Sequence, residues 1–188
     1  MKIIRFCFAL LCSAGALLGA ASAQTPGATP SSAAPAGVPI AGILECGEGY
    51  TSHELYDVTI TLEEVLRGEA ARRRLRAADP RNPEAAPGLD YVLARVRFEY
   101  RARGVPGTCV HPLAPGQFTA YSREGEAYAA APVTPPEPGM RRELKSGDAV
   151  EGWLAYLVPA TDRAPLLSFA ADRGGAVQHG EPKWFLLR

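Results

Sequence analysis

Alternation of apolar and polar side chains at a period of two constrains this chain more than any other feature. Tyr56, Val58, Ile60 and Leu62 alternate with Asp57, Thr59, Thr61 and Glu63, and a second row, Val92, Ala94, Val96, Phe98 and Tyr100, stands opposite Arg95, Arg97, Glu99 and Arg101. Successive strand residues point to opposite faces, so each segment predicts a strand with one face in a core and one in water. Val150 to Val158 is apolar on both faces apart from Glu151 and stops at Pro159, which predicts an interior strand. Shorter strands are expected at Gln117 to Ser122, Ala127 to Ala131, Leu166 to Ala170 and Trp184 to Leu187.

One segment departs from the pattern. Glu69 to Ala78 lacks β-branched residues, sets Ala71, Leu75 and Ala78 on one helical face and ends at Asp79-Pro80, so a short helix is expected over 69–78. Several short strands with one helical insertion indicate a mainly β protein, an antiparallel sandwich with Greek-key connections.

The first twenty-three residues carry Lys2 and Arg5, an apolar run from Phe6 to Leu18 and the small residues Ala21-Ser22-Ala23. Charge, apolar stretch and A-x-A site in that order predict a secretory signal cut before Gln24, and the apolar run is too short for a spanning helix. Lipid attachment at Cys12 is disfavoured by Leu11 before it. From Gln24 to Gly42 the chain is nearly all Ala, Pro, Gly, Ser and Thr, so 24–42 is expected to be a disordered linker. The folded domain is then expected over 43–188, outside the cytoplasm, in the periplasm or extracellular space, with no transmembrane segment after cleavage.

Cleavage removes Cys7 and Cys12 and leaves Cys46 and Cys109. Two thiols in an oxidising compartment most simply form one disulfide, although a redox-active or metal-binding pair is the alternative. Closing a loop of 63 residues destabilises the unfolded chain by about 4 kcal/mol in the chain-entropy treatment.

Several stretches have a specific resemblance. The strand Tyr56 to Leu62, then Leu66-Arg67-Gly68-Glu69-Ala70 opening a helix, then Ala78-Asp79-Pro80-Arg81-Asn82-Pro83, Pro87-Gly88 and Tyr91 to Val96, with Gly152-Trp153-Leu154 later, resemble exported bacterial immunoglobulin-like domains related to the mycobacterial immunoprotective extracellular protein. The resemblance implies an immunoglobulin-like β-sandwich and brings no catalytic residues or cofactor with it. This chain has Arg72, Arg73 and Arg74 where many relatives carry a large aromatic in the helix.

Removing Lys2 and Arg5 leaves 18 basic against 20 acidic residues, a formal net charge of −2. That balance gives no general attraction to nucleic acid. The charge is nevertheless segregated, with ten Arg against five acids between Arg67 and Arg103. Arg72, Arg73, Arg74 and Arg76 on the helix, with Arg95, Arg97 and Arg101 on one strand face, form a candidate patch for an anionic envelope polymer or an acidic protein. The alternative is a solvated face partly cancelled by acids such as Glu63 and Glu64.

His53, His111 and His179 are the only histidines, and Cys109-Val110-His111 with His53 and Cys46 would be the material of a metal site. Hydrolase elbows, zinc-protease helices, phosphate loops and dinucleotide fingerprints do not occur. Glu63 and Glu64 are adjacent carboxylates, but on a regular strand they point to opposite faces. Tyr50, Tyr121 and Tyr128 are candidates for a recognition surface, whereas Trp153 and Trp184 are expected in the core. The expected role is a non-enzymatic binding module. A structural envelope spacer and a metal-handling protein are the alternatives.

Overall fold

The computed structural model of the protein describes residues 25–46, 54–104, 107–173 and 178–188. The predicted signal over 1–23, His53 and Tyr50 lie outside the described residues. In chain order the strands and helix are β1 (Pro39–Cys46), β2 (Glu54–Arg67), α1 (Glu69–Ala78), β3 (Leu89–Ala102), β4 (His111–Leu113), β5 (Phe118–Tyr121), β6 (Ala127–Tyr128), β7 (Arg142–Leu144), β8 (Ala149–Pro159), β9 (Leu166–Phe169), β10 (Gln178–His179) and β11 (Lys183–Leu186). A five-stranded sheet, β10-β1-β2-β3-β8, lies against a four-stranded sheet, β11-β9-β5-β6, and β4 pairs separately with β7. All these strand pairs are antiparallel. No helix among the described residues is long and apolar enough to cross a membrane.

The fold is an antiparallel β-sandwich, and the two alternating rows make its core. Val58 faces Tyr100 across the β2–β3 ladder, Ile60 faces Phe98 and Leu62 faces Val96. These side chains are buried together with Phe118, Leu167, Phe169 and Phe185 from the smaller sheet. Each large side chain removed from water in this way contributes about 1.5–3 kcal/mol. Aromatic contacts set the spacing of the layers: Phe98 meets Phe169 edge-on at 5.2 Å, and Phe118 lies 5.0 Å from the same ring.

The helix forms where the sequence places it, over Glu69–Ala78. Gly68 enters it at φ +56°, in the left-handed region that glycine adopts without a steric penalty, which lets β2 reverse into the helix within one residue. Ala71 and Leu75 pack on the outer face of the large sheet against Tyr91, Leu93 and Trp153, whereas Ala78 is exposed. Beyond the last turn, the Asn82 side-chain amide donates to the Leu75 carbonyl at 2.9 Å, an acceptor that the Asp79 amide also reaches, and so ties the following loop to the helix end.

Two expectations are corrected. β8 is the edge of its sheet and not an interior strand. It is apolar on both sides because its inner face meets the sandwich core while Trp153 on its outer face lies under α1. Its free edge is covered by the 129–138 segment: the Ala131 amide donates to Ala155 O at 2.9 Å, Leu157 to Ala129 O at 3.3 Å and Trp153 to Pro138 O at 3.0 Å. This supplies the partners that an edge strand otherwise lacks.

The second correction concerns the linker expected over 24–42, which from Thr25 onward belongs to the fold. Ala34 is fully buried and bridges Phe185, with Ala34 N bonded to Trp184 O at 2.9 Å and Leu186 N to Ala34 O at 2.8 Å. β1 begins within the expected linker, and Pro39 already faces Thr61 of β2. The composition that reads as free chain is also what a close-lying strap requires. Gly27 sits at φ +74°, and a Cβ there would run into the Ile40 side chain. Gly27→Ala is therefore expected to lower the unfolding free energy by about 1–3 kcal/mol in denaturant titration, whereas a free tether predicts no change.

Candidate functional site

The arginines singled out in the sequence do gather on one side of the molecule, because α1 lies over the same face of the large sheet from which β3 projects Arg95, Arg97 and Arg101. Most of them meet carboxylates there. Arg72 pairs with Glu69 and, at 3.5 Å, with Glu84, which also pairs with Arg76. Arg97 lies 2.8 Å from Glu99 and 3.2 Å from Glu151. Arg95 lies 3.1 Å from Glu63 and 3.9 Å from Glu64.

The last pair depends on a register shift between Leu62 and Glu64. This bulge overturns the expectation that Glu63 and Glu64 point to opposite faces, since both reach the same guanidinium. The buried atoms Glu63 Oε2 and Arg95 Nε face each other as an ion pair without hydrogen-bond geometry. Half-exposed pairs of this kind add little stability, at most about 1 kcal/mol each, but they cancel the local field. Arg73 and Arg101 have no carboxylate partner among the described residues, and Arg74 lies over the Trp153 ring at 5.3 Å.

Cys46 and Cys109 form a disulfide, with their Cα atoms 6.5 Å apart. A bonded pair fits an oxidising compartment and leaves neither sulfur as a metal-binding thiolate, which corrects the metal alternative built on them. His111 is fully buried in the aromatic core, its ring 5.5 Å from Phe98, while His179 is exposed on β10. Among the described residues no three potential metal ligands come together.

Beside the disulfide, Glu54 accepts hydrogen bonds from the Thr108 amide and hydroxyl, both at 2.9 Å, from the Cys109 amide at 3.2 Å and from the Tyr56 hydroxyl. The Tyr56 bond, followed by that of the Thr108 hydroxyl, holds the Glu54 carboxyl below its ordinary pKa. Burial, and then the Glu54 bond, raise that of Tyr56.

A cleft opens at the end of the sandwich where β8 outruns the smaller sheet. The β6 strand opposite is only two residues long, so the inner side chains Leu154 and Tyr156 are flanked by the chain from Ala130 to Pro135 rather than by another strand. The space is about 410 Å³ and is lined by Phe118, Tyr128, Val133, Trp153, Leu154 and Tyr156, with small residues and prolines between them and no charged side chain. Cavities of this size and apolar character are typical of small-molecule sites.

Its polar groups are few. Tyr128 donates to Asp162 Oδ2 at 2.8 Å, and burial, then that carboxylate, push its pKa up to about 12. Thr119 Oγ1 accepts from Arg173 at 2.8 Å. The Tyr156 hydroxyl is buried and has no hydrogen-bond partner among the described residues. Burial raises its pKa, so it stays protonated and able to donate.

Of the candidate recognition residues, Tyr128 reaches this cleft. Tyr121 meets the Trp184 ring at a tilt, 5.5 Å between centroids, and is not among the residues that line the cleft. Phe118, Leu154 and Tyr156 were not singled out, because in sequence they belong to core rows like any other.

No protein-family model and no curated protein matches the sequence. Among solved structures, a candidate lipoprotein, ycdA, of Bacillus subtilis aligns with a TM-score of 0.46 at 12% identity, over 69% of this chain and 35% of that protein, so the chain spans about a third of its length. The yjhA protein of Bacillus subtilis aligns with a TM-score of 0.46 at 16% identity, over 73% of this chain and 81% of that one. Likeness at this level assigns neither a family nor an activity.

The Glu54 contacts give a pH dependence with a definite sign. Its folded pKa lies below the ordinary 4.5, so its stabilisation is complete above that pH and is lost as pH falls through the depressed value. Thermal melts of wild type and Glu54→Gln should differ most near neutrality and converge in acid; a gap that widens in acid contradicts this assignment.

Proposed function

We propose that this chain is an exported, non-enzymatic binding module of the immunoglobulin-like class and that its ligand sits in the cleft beside β8. The cleft carries the reading: it is a mainly apolar space of about 410 Å³ at the open end of a rigid sandwich, with tyrosines among its lining residues. Apolar walls supply affinity, and a few fixed polar groups supply orientation. The disulfide and the N-terminal leader pattern support a site outside the cytoplasm. The outer face of the large sheet is a weaker candidate for an anionic partner, because Arg72, Arg76, Arg95 and Arg97 are matched by carboxylates.

Ala130 lines the cleft with its side chain exposed, so a large residue there fills the space without entering the core. Titration with the apolar fluorophore phenylnaphthylamine should show saturable binding to wild type and at least about tenfold weaker binding to Ala130→Trp, with the circular dichroism of the two proteins unchanged. Equal binding by both proteins, or none by wild type, contradicts a site in this cleft.

A further inference from the structure

The outer face of the large sheet is divided by α1. The helix covers the first residues of β3, and the opposite end, at β1 and β2, is left open. Two of the three large apolar side chains that stand exposed among the described residues lie together there: Ile43, 43% exposed, and Leu55, 41%. The ladder pairs Ile43 with Asp57 and Leu55 with Glu45, so the two are diagonal neighbours on one face, and they line a shared depression. Exposed apolar residues scattered singly need no explanation, whereas adjoining ones are material for a contact. Their flanks say with what.

Charge is divided across this patch. On the β10 side, Asp172 and Glu181 line the depression, both exposed and without an ion-pair partner among the described residues. On the β3 side, Arg101 stands opposite Asp57 in the ladder, but Asp57 is engaged by Arg103 at 2.6 Å, which leaves the exposed Arg101 unmatched among the described residues. β10 and β3 flank β1 and β2 symmetrically, each one strand spacing of about 4.8 Å further out. A negative rim, an apolar centre and a positive rim in that order complement their own image after half a turn about a line along the strands. An anionic partner would meet the acidic rim and a cationic one would meet Arg101, so neither matches the whole face.

We infer that this face binds a second copy of the chain, about a two-fold axis that runs along the strands between β1 and β2. The rotation brings the two Ile43 side chains together and the two Leu55 side chains together, and it sets each Glu181 over the partner's Arg101. The apolar centre is small, so the association is a weak, reversible one. The cleft lies beside β8, at the far edge of the sheet, so the pair carries one cleft at either end and the inference does not depend on a ligand there.

Sedimentation equilibrium of the full exported chain should show a monomer–dimer equilibrium, with the dimer growing across about 10 µM to 1 mM and weakening as salt is raised from about 0.05 to 0.5 M. Ile43→Glu, and Arg101→Glu or Glu181→Arg singly, should each weaken the dimer at least about tenfold. The double exchange of Arg101→Glu with Glu181→Arg should restore it to within about threefold of wild type. All three positions are exposed, so circular dichroism should confirm the wild-type fold in every variant. A wild-type chain that stays monomeric up to about 1 mM, or a dimer that Ile43→Glu leaves intact, overturns the inference. A dimer that the double exchange does not restore overturns the pairing of Glu181 with Arg101, and the axis with it.

Discussion

Everything in the molecule is arranged around the burial of β3. Its even-numbered row from Val92 to Tyr100 fills the space between the sheets, and Tyr91 and Leu93 on its other face are covered by α1. A strand buried on both faces at one end and on one face at the other fixes what its neighbours must do. It holds β2 and β8 in register on either side, and it requires a helix over its first residues and a solvated, charged face over the rest. The ion pairs along Arg95, Arg97 and Glu99 follow from that geometry, because cross-strand neighbours, and residues two apart along β3, approach closely enough on a wet face to pair.

The cleft follows from the same arrangement and from a mismatch in size. The large sheet extends to β8 with eleven residues, whereas the smaller sheet ends in a two-residue β6. Leu154 and Tyr156 thus lie beyond the reach of a facing strand, and the chain between Ala130 and Pro138 closes the gap by bonding to the β8 edge. A loop that satisfies backbone groups at intervals does not pack as densely as a strand, and the space left beside it is where the sandwich is open to a ligand.

Much of this was legible in the sequence. The rows of β2 and β3 declare themselves by period, and the helix by its lack of β-branched residues and its stop at Asp79-Pro80. The errors have physical causes. Apolarity on both faces of β8 reports what lies above and below the strand, and says nothing of whether another strand lies beside it. The stretch before β1 has the composition of free chain, yet Ala34 and Gly27 serve because they are small enough to lie against β11 and Ile40. A bulge leaves no mark in an alternating pattern, so the convergence of Glu63 and Glu64 on Arg95 could not be foreseen. The state of the Tyr156 hydroxyl was hidden for a related reason: a buried tyrosine with a partner among the described residues and one without look the same in a strand row.

The central claim is that β8 is an edge strand closed by the 129–138 segment, with the cleft between them. Hydrogen exchange resolved by residue tests it directly at the amides of Ala131, Trp153 and Leu157, each of which bonds across this junction. The account predicts that all three are protected well above random-chain rates in the native protein, with Trp153 and Leu157 exchanging far more slowly than the exposed turn at Arg123 to Gly125. Exchange of these three amides at random-chain rates would mean that the edge is open and the cleft has no wall.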